Sequence, residues 1–156
     1  MSATASPFQS NQLLATLSSA AWQLLEPDLE WVALAAGTHL QANGNPLRHV
    51  YFPVTATVSL VSSLADGASA EVAVVGNEGM VGICAFMGGA NALSDAVVQR
   101  PGHAWRMSAT AVQSHTRRSP DLMEKLLGYT QALFTHMAQS TACNRHHALD
   151  QQLCRW

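Results

Sequence analysis

The sequence predicts a mainly β domain, a sandwich or roll of short strands flanked by helices and followed by one long C-terminal helix. Three observations carry this. Between Gly37 and about Met107, apolar and β-branched runs of four to eight residues alternate with turn residues. Seven of the ten glycines lie between Gly67 and Gly102, where the chain must turn tightly or bring backbones close together. After Ser119 the apolar period changes from two to between three and four and holds for about six turns.

Residues 1–10 are small and polar and are expected to be disordered. Asn11 can cap a short helix over Gln12–Leu17, and a second runs Ser18–Leu25 until Glu26-Pro27-Asp28 breaks it. Leu29–Leu34 reads as a strand or short helix, closed by Gly37. Strands follow at Thr38–Gln41, His49–Phe52 (ended by Pro53) and Thr57–Leu64, with a turn at Asn43-Gly44-Asn45-Pro46. Asp66-Gly67 suggests a type I′ hairpin returning through Glu71–Val75. Met80–Met87 is a strand or one helical turn, and Gly88–Ser94 a loop. Asp95–Gln99 and Ala104–Met107 are strands around the Pro101-Gly102 turn. Ser108 caps a helix over Ala109–Ser114. Ser119, with Pro120 at the first position and Glu124 in the first turn, opens the long helix. Asn144–His147 reads as a break, and Asp150 as the cap of a further helix.

The long helix carries two apolar stripes. Leu122, Leu126, Tyr129, Leu133 and Met137 form one; Met123, Leu127, Phe134, Ala138 and Thr141 flank it. One stripe can lie on the roll, and the other calls for a partner, most simply the same helix of a second copy.

Composition narrows the function. The 156 residues suffice for one domain, with 48% hydrophobic and 12% charged residues. No apolar run approaches a bilayer span, and no signal peptide is evident, so a cytoplasmic protein without membrane contact is expected. Net charge is −2, but residues 1–99 hold one basic residue, Arg48, against seven acids, and residues 100–156 seven basic against three acids. The basic residues form no dense cluster, so this chain alone is a poor nucleic-acid binder. Three cysteines, Cys84, Cys143 and Cys154, make no CxxC pair and too few thiolates for an ordinary iron–sulfur cluster. No His-x-His occurs, as a cupin metalloenzyme would need, and no G-x-S-x-G frames a nucleophilic serine. No enzyme activity and no metal site are expected.

The most pointed stretch is Glu71–Gly82, E-V-A-V-V-G-N-E-G-M-V-G, a strand running into three glycines (Gly76, Gly79, Gly82) spaced by three. With N-Q-L-L-A-T-L, V-Y-F-P, D-G-A-S-A-E-V, V-Q-R-P-G-H-A and P-D-L in this order, the chain resembles the N-terminal sensor half of Crp/Fnr-type bacterial transcription regulators over residues 11–156. The resemblance implies a double-stranded β-helix, a jelly roll like that of cyclic-nucleotide-binding domains. It implies an effector-sensing roll over 11–118, a dimerisation helix over 119–146 built on Leu122, Leu126, Tyr129, Leu133 and Met137, and a hinge at 147–156 opening a DNA-binding half that is absent here. Partners implied are a second copy, a small-molecule effector and, through the missing half, DNA.

By that analogy Gly79, Met80, Val81, Gly82, Ser94, Asp95 and Ala96 line the effector pocket, and Gln139, Ser140 and Thr141 on the long helix close it. Cyclic-AMP binders in the family offer a glutamate to the ribose and an Arg-Ser or Arg-Thr pair to the phosphate. Here Met80 stands at the first position and Ser94-Asp95-Ala96 at the second, with no arginine between Arg48 and Arg100. A buried phosphodiester needs a cation or free amides, so cyclic AMP is not the expected effector and no cofactor is required. Two other readings stay open. One is a haem or gas sensor with Cys84, His103 or His49 as axial ligand. The other is a ligand-independent dimerisation scaffold with Met80, Phe86 and Met87 filling the pocket.

Overall fold

The computed structural model describes residues 10–63, 66–88 and 91–146, with side chains through 139. Of residues 1–10, expected to be disordered, all but Ser10 lie outside the described residues, as does the hinge from His147 onward, with Cys154. The architecture is mainly antiparallel β, a jelly-roll-like pair of sheets with flanking helices and a long C-terminal helix. The elements are α1 (Gln12–Ala15), α2 (Ser19–Leu25), β1 (Glu30–Leu34), β2 (His39–Gln41), β3 (His49–Pro53), β4 (Thr57–Ser63), β5 (Ser69–Val75), β6 (Asp95–Arg100), β7 (Gly102–Ser108), α3 (Ala109–Arg118) and α4 (Pro120–His146). One sheet has the order β1-β7-β3 and the other β2-β6-β4-β5.

The N-terminal caps are formed as their residues dictate. The Asn11, Ser18, Ser108 and Ser119 side chains accept from the amides of Leu14, Ala21, Ala111 and Leu122. Asn11 does more. It is fully buried, and its Nδ2 donates to the carbonyls of Pro53 at 2.8 Å and Gly79 at 2.9 Å. One side chain thus fastens the first helix to the end of β3 and to the glycine corner.

Three local expectations are corrected. Ser63 pairs with Ser69, so β4 and β5 are not joined by a two-residue type I′ turn at Asp66-Gly67. Gly67 has φ +87°, but Asp66 does not share it; its carboxylate accepts from the Ala68 amide. The α3 helix runs to Arg118, past Ser114, because Val112, His115 and Thr116 bury its inner face. His115 Nε2 lies 2.6 Å from Asp28 Oδ2, tying α3 to the 3₁₀ turn Glu26–Asp28. And α4 passes through Asn144 to His146 without the expected break.

Two apolar cores result. The first joins α1 and α2 to Val50, Phe52, Trp105 and Met107 on the sheet and to Val112, Leu122 and Leu126. The second lies between the sheets, with Leu34, Tyr51, Val58, Leu60, Val75, Ala96, Val98 and Ala104, and reaches Leu133 on α4. Leu122, Leu126 and Leu133 are buried within this one chain, and Tyr129 and Met137 pack with them. Leu127 and Phe134, by contrast, are 45% and 44% exposed. The helix therefore seats on its own roll the stripe of Leu122, Leu126, Tyr129, Leu133 and Met137 that the resemblance assigns to dimerisation, with Met123 packed beside it, and it is Leu127 and the exposed part of Phe134 that face outward.

Candidate functional site

The glycine corner is pinned to the sheet and to α4. Val81 bridges Tyr51, exchanging backbone bonds of 2.8 and 3.0 Å, so the corner extends the open edge of β3. Gly79 has no room for a side chain: a Cβ there would sit 2.3 Å from the Tyr129 ring. Tyr129 Oη donates to the Met80 carbonyl at 3.2 Å. Burial, with a smaller contribution from the charge of Glu78, pushes this phenol up to about 12.

That shift has a pH signature. The folded pKa exceeds the ordinary value near 10, so Tyr129 contributes its full stabilisation below pH 10 and loses it as pH rises toward 12. The loss is on the order of 2–3 kcal/mol. Urea melts between pH 8 and 11.5 should show it in the wild type, and the Tyr129→Phe variant should lack that part of the decline. Parallel pH profiles for the two proteins would contradict this.

Beside the corner lies a cavity of about 140 Å³. Leu60 and Ser62 of β4, Val72 of β5 and Gln41 at the end of β2 form one wall, and Met80–Cys84 a second. Leu93 and Ser94 approach from the loop before β6, and Leu133, Phe134 and Met137 of α4 close it. None of these residues is charged. Gln41 Nε2 donates to the Ser94 carbonyl at 3.0 Å, while its Oε1 is buried without a hydrogen-bond partner.

Of the expected pocket residues, Met80, Val81, Gly82 and Ser94 line this cavity. The others lie elsewhere. Gly79 receives Tyr129. Ala96 is fully buried in the inter-sheet core. Asp95 alternates to the outer face, where its carboxylate accepts from the Asn43 amide at 2.7 Å beside His39 and Ser59. Gln139 lies along the far side of α4 with Gly128 and Gln131, so it does not close the cavity. The Ser140 and Thr141 side chains lie outside the described residues. Leu133, Phe134 and Met137, one and two turns earlier, form the lid. The cavity is also not filled as a ligand-free scaffold would require: Phe86 packs in the first core and Met87 is 45% exposed.

The three candidate haem ligands do not converge. Cys84 touches the cavity, but burial raises its thiol pKa, which keeps it neutral. His103 of β7 stacks on Trp31 of the neighbouring β1 in the three-stranded sheet, with ring centroids 5.1 Å apart. His49, at the start of β3, is shifted down by burial and then by Arg106. Among the described residues no three His, Cys, Asp or Glu groups are placed to hold a metal. Nor, among them, is any helix long and apolar enough to cross a membrane.

What sequence reasoning missed is the wall from β2, β4 and β5. Its signal was partly there: Val58, Leu60 and Ser62 share one face of a period-two strand. Which other strands face them is set by the β2-β6-β4-β5 order, which no local pattern states.

The fold has many solved counterparts. A cyclic nucleotide-binding domain from Methylobacillus flagellatus KT superposes with a TM-score of 0.73 at 17% identity, covering 91% of this chain and 86% of that one. The N-terminal domain of a transcriptional regulator from Streptomyces coelicolor A3(2) gives 0.61 at 18%, over 92% and 100% of the two chains. The sensor domain of the transcriptional regulator DNR from Pseudomonas aeruginosa gives 0.62 at 21%, over 81% and 89%. No curated protein matches the sequence. The family model for the cyclic nucleotide-binding domain matches residues 31–119, from β1 to the end of α3. Both sheets and the corner against which the cavity forms thus fall within the match, and the chain belongs to the cyclic nucleotide-binding domain family.

Proposed function

We propose that this chain is the effector-sensing and dimerisation module of a Crp/Fnr-type transcription regulator, responding to an effector other than cyclic AMP. The observation that carries the reading is a shared helix. Leu133, Phe134 and Met137 of α4 close the cavity, and the same helix turns Leu127 and Phe134 outward. A ligand in the cavity touches the element that would meet a second copy, so occupancy and helix pairing are coupled. Residues 11–118 are the sensor and 119–146 the pairing helix. The uncharged lining disfavours a cyclic phosphodiester. The likeness to regulator domains, DNR's sensor domain among them, supports a regulatory, non-catalytic and cytoplasmic role. DNA would be met through a further domain, and these 156 residues are not expected to hold a specific operator.

The occupant of the open face is a second copy of α4. Leu127 and Phe134 are spaced by seven residues, the repeat of a two-helix seam. The wild type is expected to sediment as a dimer at 100 μM. Leu127→Glu and Phe134→Glu should each raise the dimer dissociation constant at least a hundredfold, about 2.7 kcal/mol, with circular dichroism unchanged. A wild-type monomer at that concentration, or no response to either variant, would refute the pairing.

A further inference from the structure

The cavity also carries information about what it takes, on the reading that it is the effector site. We infer that its ligand is a small neutral molecule, a single apolar ring bearing one hydrogen-bond donor. Three features of the walls lead there.

The first is size. About 140 Å³ matches the space that holds one benzene-sized molecule; an engineered apolar cavity of about 150 Å³ takes up benzene. A nucleoside phosphate exceeds such a volume and could be held only in part. The second is charge. Among the lining residues there is no Lys, Arg, His, Asp or Glu, so an ionised ligand would shed its hydration and find no counter-charge. The third is polarity at one place. Most of the wall is aliphatic or aromatic: Leu60, Val72, Met80, Leu133, Phe134 and Met137. The polar side chains Gln41, Ser62 and Ser94 interrupt it. The Gln41 amide is oriented by its bond to the Ser94 carbonyl, which fixes the polar end of the wall. The Ser62 and Ser94 hydroxyls beside it can each accept from one incoming O–H or N–H. A ring with one donor meets both kinds of wall.

Phenol, sodium benzoate and cyclic AMP test this as probes on the full chain at pH 7, by calorimetry and thermal melts. Phenol should bind, raising Tm by about 3 °C or more at ten times its dissociation constant. Benzoate, the anion on the same ring, should bind at least tenfold more weakly, and cyclic AMP should leave Tm unchanged. Ser62→Phe places a ring in the cavity and should abolish the phenol response; Ser62→Leu fills it less and should weaken it, which keeps the test open if the first variant folds poorly. Two results would overturn the ligand class alone: benzoate or cyclic AMP binding as tightly as phenol with sensitivity to Ser62→Phe, or a phenol response indifferent to both variants. Silence from all three probes would remove the cavity as an effector site altogether, while the pairing of α4 would still stand on its own sedimentation test.

Discussion

Leu126→Ala is expected to lower the unfolding free energy by about 2–5 kcal/mol, and Leu127→Ala, one residue on, by less than about 1 kcal/mol. The two leucines differ in nothing but the face of α4 they occupy. Leu126 is 2% exposed, in the same core as Leu122, Phe52 and Met107. Truncating it removes buried methyl groups and leaves a void bounded by helices and a sheet that cannot close together, so the transfer loss and the cavity add. Leu127 is 45% exposed, and its truncation returns little surface to water within one chain. Urea melts at a protein concentration below dimer dissociation measure both. At higher concentration the Leu127 variant should melt earlier than the wild type by the lost pairing, a concentration dependence the Leu126 variant should not add to. Equal losses at low concentration would mean that α4 is not seated on the roll as described.

The contrast also shows what was legible in the residues. Both stripes of α4 stand plainly in the spacing of Leu122, Leu126 and Leu133 and of Leu127 and Phe134. Which stripe meets the roll does not, because either has the same apolar width, and the choice is made by what lies beneath. Here it is Tyr129: its ring occupies the space that Gly79 leaves open, and its hydroxyl reaches the Met80 carbonyl. The glycine corner could be read as a close approach, but not what approached it.

The strands were readable for a simpler reason. β3 ends at Pro53, β5 runs into Gly76 and β6 into Pro101, residues that interrupt a ladder, and β3, β4 and β6 carry β-branched residues in between. The failures come where a local preference met a longer constraint. Asp66-Gly67 favours a two-residue turn in isolation, but β4 and β5 are held in register by their own pairing from Val58↔Val75 to Ser63↔Ser69, with a shift between Leu60 and Val61, and the loop takes up the remainder. Asn11 was visible as a cap and not as a clasp, since its two other bonds go to residues 42 and 68 positions away. Asp95 was assigned to the pocket by analogy with a chain that carries a cation there. In this one the period of β6 puts Ala96 and Val98 inside and leaves Asp95 on the outer face.

The sharpest single test of the corner is a methyl group at Gly82. Gly82→Ala is expected to destabilise the fold by about 2–4 kcal/mol, from left-handed backbone strain together with overpacking. Gly82 has φ +105° and ψ 37°, capping the 3₁₀ turn Ile83–Ala85. A Cβ there would lie 2.8 Å from Val50 Cγ1, 3.3 Å from Val50 Cα and 3.4 Å from the His49 carbonyl oxygen. Val50 is fully buried in the first core, so its side chain can give way only by displacing packed neighbours. Its backbone is held by the pairing with Met107. The corner cannot retreat either, because Val81 is bonded to Tyr51 in both directions. Strain and overlap therefore act on the same atom with no exit. Gly128→Ala is the matched control: a Cβ on this exposed α4 glycine meets nothing within 4 Å. Alanine there should stabilise by about 0.5–1 kcal/mol through helix propensity. The same chemical change, one methyl for one hydrogen, is thus expected to have opposite signs at two glycines, as read by urea melts of the two variants. A neutral Gly82→Ala would mean that the corner rests elsewhere than against β3, and the cavity wall from Met80 to Cys84 would have to be redrawn with it.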